Sequence, residues 1–351
     1  MFPESFASRW ISRLTRRGET VLDPFSGRGT TALTSSLAGR KSISCDVNDV
    51  AYCLTKAKTN PPKLGSLLNR LRLLEASFDE DARWSQQREQ CPEFFHRAYA
   101  PSTLSRLLYL RDALNWKSSR VDSMIAALVL GSLHGESHSP NYFSNQMPRT
   151  ISTKPAYSVR FWESRGLIAP DRDVFSILRG RANYRYASDP PDSEALVFHG
   201  DMRTLPQRLG SWTSPIRCVI TSPPYMDVTS FEEDQWLRLW FLGGPPNPTR
   251  GRVSRDDRYT QRDPYWQFIG DMWRSLGAVL DKAAHIVIRI GARAVSPKDL
   301  TRTLRGSAEL SGRAMRLVSS NVSQLKNRQT DVFRPGSKGC GYELDCHFLM
   351  E

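Results

Sequence analysis

The chain has 351 residues, which is enough for one large or two ordinary domains, and 39% hydrophobic residues suffice for a packed core. Its 49 Lys and Arg residues against 36 Asp and Glu residues give a net charge of +13, which favours a polyanionic partner such as nucleic acid. The six cysteines form no C-x-x-C pair and no apolar run reaches transmembrane length, which argues against a disulfide-rich or membrane protein and predicts a cytoplasmic one.

The first 62 residues carry the pattern of a nucleoside-binding βαβ unit. Residues 19–31 predict a strand, a Gly-rich turn and the start of a helix, in which Gly27 and Gly29 let the backbone approach a ligand closely. Asp46 ends the next predicted strand, where such a unit carries an acid for a ribose diol. The segment therefore predicts a nucleoside site at two strand ends.

Residues 63–190 break this pattern and predict a mostly helical insertion before the third strand. Leu residues at helical spacing predict helices over residues 64–88 and 102–116, and a more apolar helix follows over residues 122–133. The insertion is a candidate for target recognition, and binding of a second subunit is the alternative.

The end of the insertion is polar and aromatic over residues 139–150, and residues 157–162 then alternate and mix Arg with aromatic rings. Asn145, Gln146 and Arg149 suit hydrogen bonding to base edges, although an anchored surface loop explains the same residue types equally well. The nearby His134-x-x-x-His138 spacing is interrupted by Gly and Ser and has no obvious third ligand, so we expect no metal site.

A stiff corner is predicted at Thr221-Ser222-Pro223-Pro224-Tyr225, directly after the strand-like residues 216–220. Each Pro fixes its own φ and restricts the residue before it, and ligands bind at the carboxyl ends of strands in open α/β sheets. A hydroxyl, a carbonyl and an aromatic ring at this corner suit a planar ring that carries an amino group. A Pro-Pro turn with a core tyrosine is the alternative for this stretch alone.

An Arg-rich loop follows the corner over residues 245–262 and has little apolar content. Arg at this density suits phosphate contacts, and a solvated basic loop is the alternative. Its arginines are Arg250, Arg252, Arg255, Arg258 and Arg262.

The remaining residues predict a helix over residues 267–284, a buried strand over residues 285–290 and further strands from Val318 onward. A hairpin turn is predicted over residues 336–341, joining residues 331–333 to a strand over residues 342–349.

Four motifs in this order resemble the amino-methylating DNA methyltransferases: residues 2–11, residues 23–31 with the Gly loop, residues 198–205 with Gly-Asp, and the corner at residues 221–225. That family transfers a methyl group from S-adenosylmethionine to N4 of cytosine or N6 of adenine. The resemblance hardly extends over residues 60–190.

The resemblance implies an α/β fold, the Rossmann-like fold of S-adenosylmethionine-dependent methyltransferases, with a mostly helical insertion and a C-terminal antiparallel hairpin. Residues 1–62 and 191–351 are then the two parts of a catalytic domain, and residues 63–190 are the insertion. Because the family's recognition segment in one known order lies between strands 3 and 4, this earlier insertion leaves the DNA-reading segment open.

The resemblance also implies the site residues. Asp201 is expected to bind the adenine amino group of the cofactor, with Met202 packing beside that ring. The expected catalytic residues are Ser222, Pro223, Pro224 and Tyr225. The expected cofactor residues are Phe6, Asp23, Pro24, Phe25, Ser26, Gly27, Gly29, Thr30, Thr31, Asp46, Asn48, Asp201, Met202 and Thr221.

Ser before Pro-Pro leans to N4 of cytosine within this family, so a cytosine-N4 DNA methyltransferase acting on a base flipped from double-stranded DNA is the leading hypothesis. An adenine-N6 enzyme is the alternative, followed by an RNA methyltransferase and by a catalytically silent DNA-binding homologue. A cognate restriction endonuclease and a monomeric or homodimeric state both stay open.

Overall fold

The computed structural model forms two compact units, which we call the sheet unit and the helical unit. The sheet unit comprises residues 1–55, 191–230 and 252–351, and the helical unit comprises residues 56–190 and 231–251. The structure describes residues 2–135, 139–145, 155–191, 193–226, 231–248, 262–293, 295–325 and 340–351.

The sheet unit is built on seven strands in the order β3-β2-β1-β4-β5-β7-β6. Strands β1 to β5 pair in parallel, and β7 pairs antiparallel with both β5 and β6. The strands are β1 Thr20–Asp23, β2 Lys41–Asp46, β3 Ala195–His199, β4 Ile216–Thr221, β5 Ala284–Ile290, β6 Met315–Gln324 and β7 Tyr342–Met350.

The helices fall into both units. They are α1 Glu4–Leu14, α2 Thr30–Leu37, α3 Asp49–Thr59, α4 Leu64–Ala76, α5 Ala82–Glu89, α6 Glu93–Ala98, α7 Pro101–Ala113, α8 Arg120–Leu130, α9 Pro155–Glu163, α10 Val174–Arg185, α11 Leu205–Arg208, α12 Phe231–Asp234, α13 Trp236–Phe241, α14 Arg262–Val279 and α15 Pro297–Ser307. Among the described residues no helix combines the length and the apolar character needed to cross a membrane.

Two apolar cores pack on the sheet. Val21 of β1 belongs to the core that includes Trp10 and Ile11 of α1. The next residue, Leu22, belongs to the core that includes Trp273 of α14. Because neighbouring side chains of a strand point to opposite faces, the sheet is covered on both sides, as a parallel sheet requires. The predicted α/β fold with a Rossmann-like sheet is therefore confirmed.

The helical unit has an aromatic core that includes α13. The ring of Trp236 lies 5.0 Å from that of Phe94, and the ring of Trp240 lies 4.4 Å from that of Phe95. These rings draw residues 231–251 into the helical unit, whereas the sequence assigned them to the last catalytic segment.

Some predicted elements differ from the structure. The helix expected over residues 64–88 is two helices, because Asp81 caps α5 by accepting hydrogen bonds from the backbone N–H groups of Arg83 and Trp84. Residues 157–162, for which the sequence analysis predicted no element, lie in α9, where Val159 and Trp162 are buried at helical spacing.

Another difference concerns the C-terminal hairpin. An antiparallel pair is present, but β7 pairs with β6, which begins at Met315. The predicted partner at residues 331–333 and the predicted turn up to residue 339 lie outside the described residues.

Candidate active site

The loop after β1 is joined to the corner after β4 by Asp23. Its Oδ1 accepts hydrogen bonds from the Thr221 hydroxyl at 2.7 Å and from the Phe25 backbone N–H at 3.1 Å. The Thr31 hydroxyl donates to the Ile220 carbonyl at 3.1 Å, which ties the start of α2 to β4. Burial raises the pKa of Asp23 to about 6, and its hydrogen bonds oppose that shift. Asp23 and Thr221 thus hold the two predicted motifs side by side.

The Gly loop depends on two left-handed residues, Gly27 with φ +50° and Gly29 with φ +73°. A Cβ on Gly29 would lie 2.7 Å from Thr55 Oγ1 and 3.0 Å from Thr55 Cα, so α2 packs against α3 only with glycine here. A Cβ on Gly27 would meet nothing closer than 4.0 Å. The space beside Gly27 therefore leaves room for a ligand against the loop backbone.

Asp46 presents a fixed carboxylate next to this loop. Its Oδ2 accepts from the Gly27 N–H and its Oδ1 from the Asn48 N–H, each at 2.9 Å. A carboxylate oxygen has two lone pairs, so each oxygen can accept a further donor. Burial raises the pKa of Asp46 to about 6, and the two backbone hydrogen bonds oppose the rise. Asn48 in turn caps α3 by accepting from the Val50 N–H at 2.9 Å.

Asp201 begins a short 3-10 turn after β3 and is paired with Arg203. The Arg203 guanidinium donates to both carboxylate oxygens, at 2.9 and 2.6 Å. Met202 is buried, and its carbonyl accepts from the Ser275 hydroxyl at 2.8 Å. Any ligand that binds the Asp201 carboxylate therefore shares it with Arg203, a residue that the sequence did not single out.

A second group that the sequence analysis missed lies at the same end of β3. His199 Nε2 lies 3.1 Å from Asp49 Oδ1, and the His199 ring stacks on Tyr52 at 4.9 Å. The position of His199 directly before Gly200-Asp201 was the available sequence signal.

Other predicted cofactor residues pack in the core, form backbone hydrogen bonds or begin a helix. Phe6 is buried between α1 and the sheet, with the Arg289 guanidinium 3.9 Å from its ring centroid. The Phe25 ring lies 5.2 Å from that of Phe268. The Ser26 backbone N–H donates to the Cys45 carbonyl at 3.0 Å. Pro24 is buried, and Thr30 begins α2.

At the corner, Pro223 is buried, Pro224 is exposed and Ser222 is half-buried. The Tyr225 hydroxyl donates to Glu343 Oε1 at 2.9 Å. The corner is bracketed by pairing on both sides, since Thr221 pairs with Ile288 and Met226 bridges to Ala292. The corner is thus paired with β5 at one end and with the residue two positions after β5 at the other.

The predicted DNA-contacting residues are only partly described. Asn145 is 7% exposed, and its side-chain amide donates to the carbonyls of Arg97 and Leu167. Because that amide is bonded within the helical unit, the anchored-loop alternative describes Asn145, and a role in reading bases is not supported. Gln146, Arg149, Arg250, Arg252, Arg255 and Arg258 lie outside the described residues, as does the side chain of Arg262.

Within the described ranges, no group of three or more His, Cys, Asp or Glu side chains is arranged to hold a metal ion.

Comparison with known proteins matches the N-terminal segment to a family. Residues 1–57 match the family model described as DNA methylase, of the N6 and N4 type. A stretch of 105 residues is 27% identical to the Type II methyltransferase M.BsoBI of Geobacillus stearothermophilus. That stretch covers 23% of this chain and only 21% of the relative.

Solved structures of methyltransferases are similar at low identity. TrmN from Thermus thermophilus is 10% identical, with a TM-score of 0.39, over 100% of this chain and 49% of its own. The rRNA methyltransferase aviRa from Streptomyces viridochromogenes is 14% identical, with a TM-score of 0.34, over 99% of this chain and 85% of its own.

Proposed function

We propose that this chain, whose N-terminal segment belongs to the N4/N6 amino-methyltransferase family, is a DNA methyltransferase that methylates N4 of cytosine. The observation that carries the proposal is the hydrogen bond between Thr221 and Asp23, which joins the Gly loop to the Pro-Pro corner. A nucleoside-binding loop and an amine-binding corner at adjoining strand ends are the two halves that such a transfer needs.

The described residues fit S-adenosylmethionine as the cofactor. The open space at Gly27 suits close approach to the loop backbone, and the Asp46 carboxylate suits ribose hydroxyls. Asp201 and Met202 are the residues that would receive the adenine ring. When bound, the cofactor supplies an electrophilic methyl group on a sulfonium ion.

The corner supplies the groups that orient the acceptor amine. The Ser222 hydroxyl and the Pro223 carbonyl accept the two amino hydrogens, which directs the nitrogen lone pair away from them. The Tyr225 ring stacks on the face of the base. The base must leave the duplex stack to reach these groups, because its amino nitrogen is otherwise paired. Alignment and electrostatics then account for the rate of a direct displacement, without a covalent enzyme–base bond.

The preference for cytosine rests on Ser222 before the two prolines, by resemblance to the family. N6 of adenine is the second candidate, because its amino group presents a similar geometry to the same corner. Double-stranded DNA as the substrate accords with the net charge of +13.

Nucleoside mass spectrometry tests this proposal. The chain is expressed in a host that lacks N4-methylcytosine, and the host DNA is digested and analysed. The expected result is N4-methylcytosine with the natural chain and none with Tyr225→Ala, which should keep its cofactor affinity. N6-methyladenine in its place would overturn the base assignment. If the protein is folded and binds S-adenosylmethionine but neither methylated nucleoside is found, the proposal that DNA is the substrate would be overturned.

A further inference from the structure

The Tyr225 ring is held by a residue far from it in the sequence. Its hydroxyl donates to Glu343, which lies near the start of β7 and has a side chain only 13% exposed. A hydrogen bond to a charged acceptor is roughly twice as strong as one between neutral groups. The ring of the predicted stacking residue therefore has a strong attachment outside the four family motifs.

Glu343 is in turn fixed by Arg289 of β5. Arg289 Nη1 lies 3.1 Å from Glu343 Oε2, and its Nε and Nη2 donate to the two oxygens of Asp345 at 2.6 and 2.8 Å. Arg289 and Asp345 are register partners in the β5–β7 pairing, so the strand register sets this geometry. A buried carboxylate is costly unless it is paired, and Arg289 supplies the pairing charge.

A second contact supports the edge of the same ring. A Cβ on Gly291 would lie 2.9 Å from Cδ2 and 3.0 Å from Cε2 of Tyr225. The tyrosine edge thus packs directly on the Gly291 backbone, at the end of β5. The ring is located by its hydroxyl at one point and by its edge at another, which restricts rotation about both side-chain torsions.

The environment also keeps the tyrosine protonated. Burial raises the pKa of Tyr225 far above its ordinary value and the charge of Glu343 adds to the rise, while a hydrogen bond with Ser222 opposes it. The hydroxyl therefore stays a donor to Glu343 throughout the neutral range.

We propose that Glu343, held in place by Arg289, is a positioning residue that fixes the Tyr225 ring for stacking on the target base. This inference rests on the proposed function for its catalytic consequence, whereas the attachment itself can be tested without activity. Loss of the attachment should lower turnover on DNA and leave cofactor binding unchanged, since Glu343 acts through Tyr225.

The kinetic test uses a double-mutant cycle of Tyr225→Phe and Glu343→Leu. Each change removes one side of the same hydrogen bond and should lower kcat about tenfold, with the cofactor Kd within about twofold of the natural chain. The double variant should lose no more than either single variant. Glu343→Gln, which keeps an acceptor oxygen, should restore most of kcat. Glu351→Gln, an exposed carboxylate directly after β7, is the matched control and should have no effect.

A merely structural role for Glu343 predicts a different pattern. Losses in kcat that multiply in the double variant, or a natural kcat in Glu343→Leu, would overturn the proposal. If Glu343→Leu does not fold, Glu343→Ala replaces it in the cycle, because it also removes the acceptor of the Tyr225 hydroxyl.

An activity-independent measurement separates this inference from the proposed function. 3-Fluorotyrosine placed at position 225 should give a narrow ¹⁹F signal that shifts or broadens with Glu343→Leu and stays unchanged with Glu351→Gln. An unchanged signal with Glu343→Leu would overturn the attachment. Absence of any methylated nucleoside would overturn the proposed function, and the ¹⁹F result would still decide the attachment.

Discussion

Asp46 is the residue at which the chemistry of the candidate cofactor site is easiest to test. Its two oxygens are oriented by backbone N–H groups of Gly27 and Asn48, and each retains a lone pair for a ligand hydroxyl. Protonation turns one oxygen into a donor and removes an acceptor. The ionisation state of this one carboxylate should therefore control cofactor affinity.

Cofactor binding should weaken in mild acid, because the pKa of Asp46 is raised to about 6. Above pH 7 the carboxylate is ionised and affinity is maximal, and affinity falls as the pH drops through 6. We expect S-adenosylmethionine affinity to be about fourfold weaker at pH 5.5 than at pH 7.5 by calorimetry.

Asp46→Asn supplies the control for that titration. It should bind weakly at both pH values and show little dependence on pH. If the variant keeps the pH dependence of the natural chain, a different group is responsible, and Asp23 is then the first candidate because its pKa is also about 6.

Single residues were predictable from sequence where their partners lie within a motif. The turn at Gly27 and Gly29 and the position of Asp46 at the end of β2 are such cases, because the local residue pattern indicates both. Glu343 was not predictable, since 118 residues separate it from Tyr225 and only the strand order brings them together. The sequence left two interpretations of Asn145 open, because its polarity does not reveal that its side-chain amide donates to backbone carbonyls of the helical unit.

At the level of elements, the contact between α2 and α3 depends on Gly29. Gly29→Ala adds a Cβ at φ +73° and places it 2.7 Å from Thr55 Oγ1. Gly312→Ala is the matched control, because its φ is +69° and no atom lies within 4 Å of the added Cβ. The left-handed backbone should lower the free energy of unfolding of both variants by about 1 kcal/mol. The steric contact should lower that of Gly29→Ala by roughly a further 1–3 kcal/mol.

Urea unfolding of the two variants measures the difference. Equal free energies of unfolding for Gly29→Ala and Gly312→Ala would show that α2 and α3 shift apart without cost.

The pairing of β5 with β7 contains two histidines that should make the fold sensitive to acid. His285 Nδ1 lies 3.0 Å from His347 Nε2, and burial lowers the pKa of His347 to about 4, with the neighbouring His285 adding to the effect. The unfolded chain takes up its proton near pH 6.5, so stability is full above that pH and is lost as the pH falls towards 4.

Between pH 7.5 and pH 5.5, the free energy of unfolding of the natural chain should fall by about 1 kcal/mol because of His347. His347→Phe, which keeps a ring beside Trp10, should lack that loss. The free energy of unfolding is measured in urea at both pH values, and an identical pH dependence in the two proteins would contradict the assignment. Asp23 and Asp46 act in the opposite direction but contribute equally to both proteins.

Strands were predictable where most of their residues are buried, as in β1, β2, β4 and β5. The sequence did not identify β6 as the partner of β7, because β6 is mostly exposed and carries Ser, Asn and Gln, which resemble a loop. Helix boundaries were shifted where a local cap such as Asp81 interrupts a continuous leucine pattern.

For the whole molecule, the charge balance predicts how DNA binding responds to salt. A chain with net charge +13 that contacts phosphates should lose affinity steeply between 50 and 200 mM salt. Replacing three arginines of the predicted Arg-rich loop by Gln should reduce the slope of log affinity against log salt by about 3, which is about 1 for each phosphate contact. The replaced residues are Arg252, Arg255 and Arg258.

Fluorescence anisotropy with a labelled duplex measures these slopes. The control removes the same charge from exposed arginines on and after α1 and should change the slope by less than half as much. An unchanged slope in the loop variant would contradict phosphate contacts by these arginines and would favour the alternative of a solvated basic loop. The control residues are Arg9, Arg16 and Arg17.

The overall architecture was predictable in outline because the motifs occur in a fixed order along the chain. Asp23 and Asp46 end β1 and β2, and Asp201 and the corner follow β3 and β4, as the motif order predicts. The assignment of residues 231–251 to the helical unit was not predictable, because their sequence does not show that Trp236 and Trp240 pack against Phe94 and Phe95 of α6.

The position of β7 has a consequence for the order in which the protein matures. It follows the other six strands along the chain, yet it inserts between β5 and β6. While the ribosome is still translating β6, Asp23, Asp46 and Tyr225 have already been made, but Glu343 and Asp345 have not. The hydrogen bond that holds the Tyr225 ring can therefore form only after β7 has been made. The hydrogen bonds of Asp23 and Asp46, in contrast, involve only residues that are made earlier.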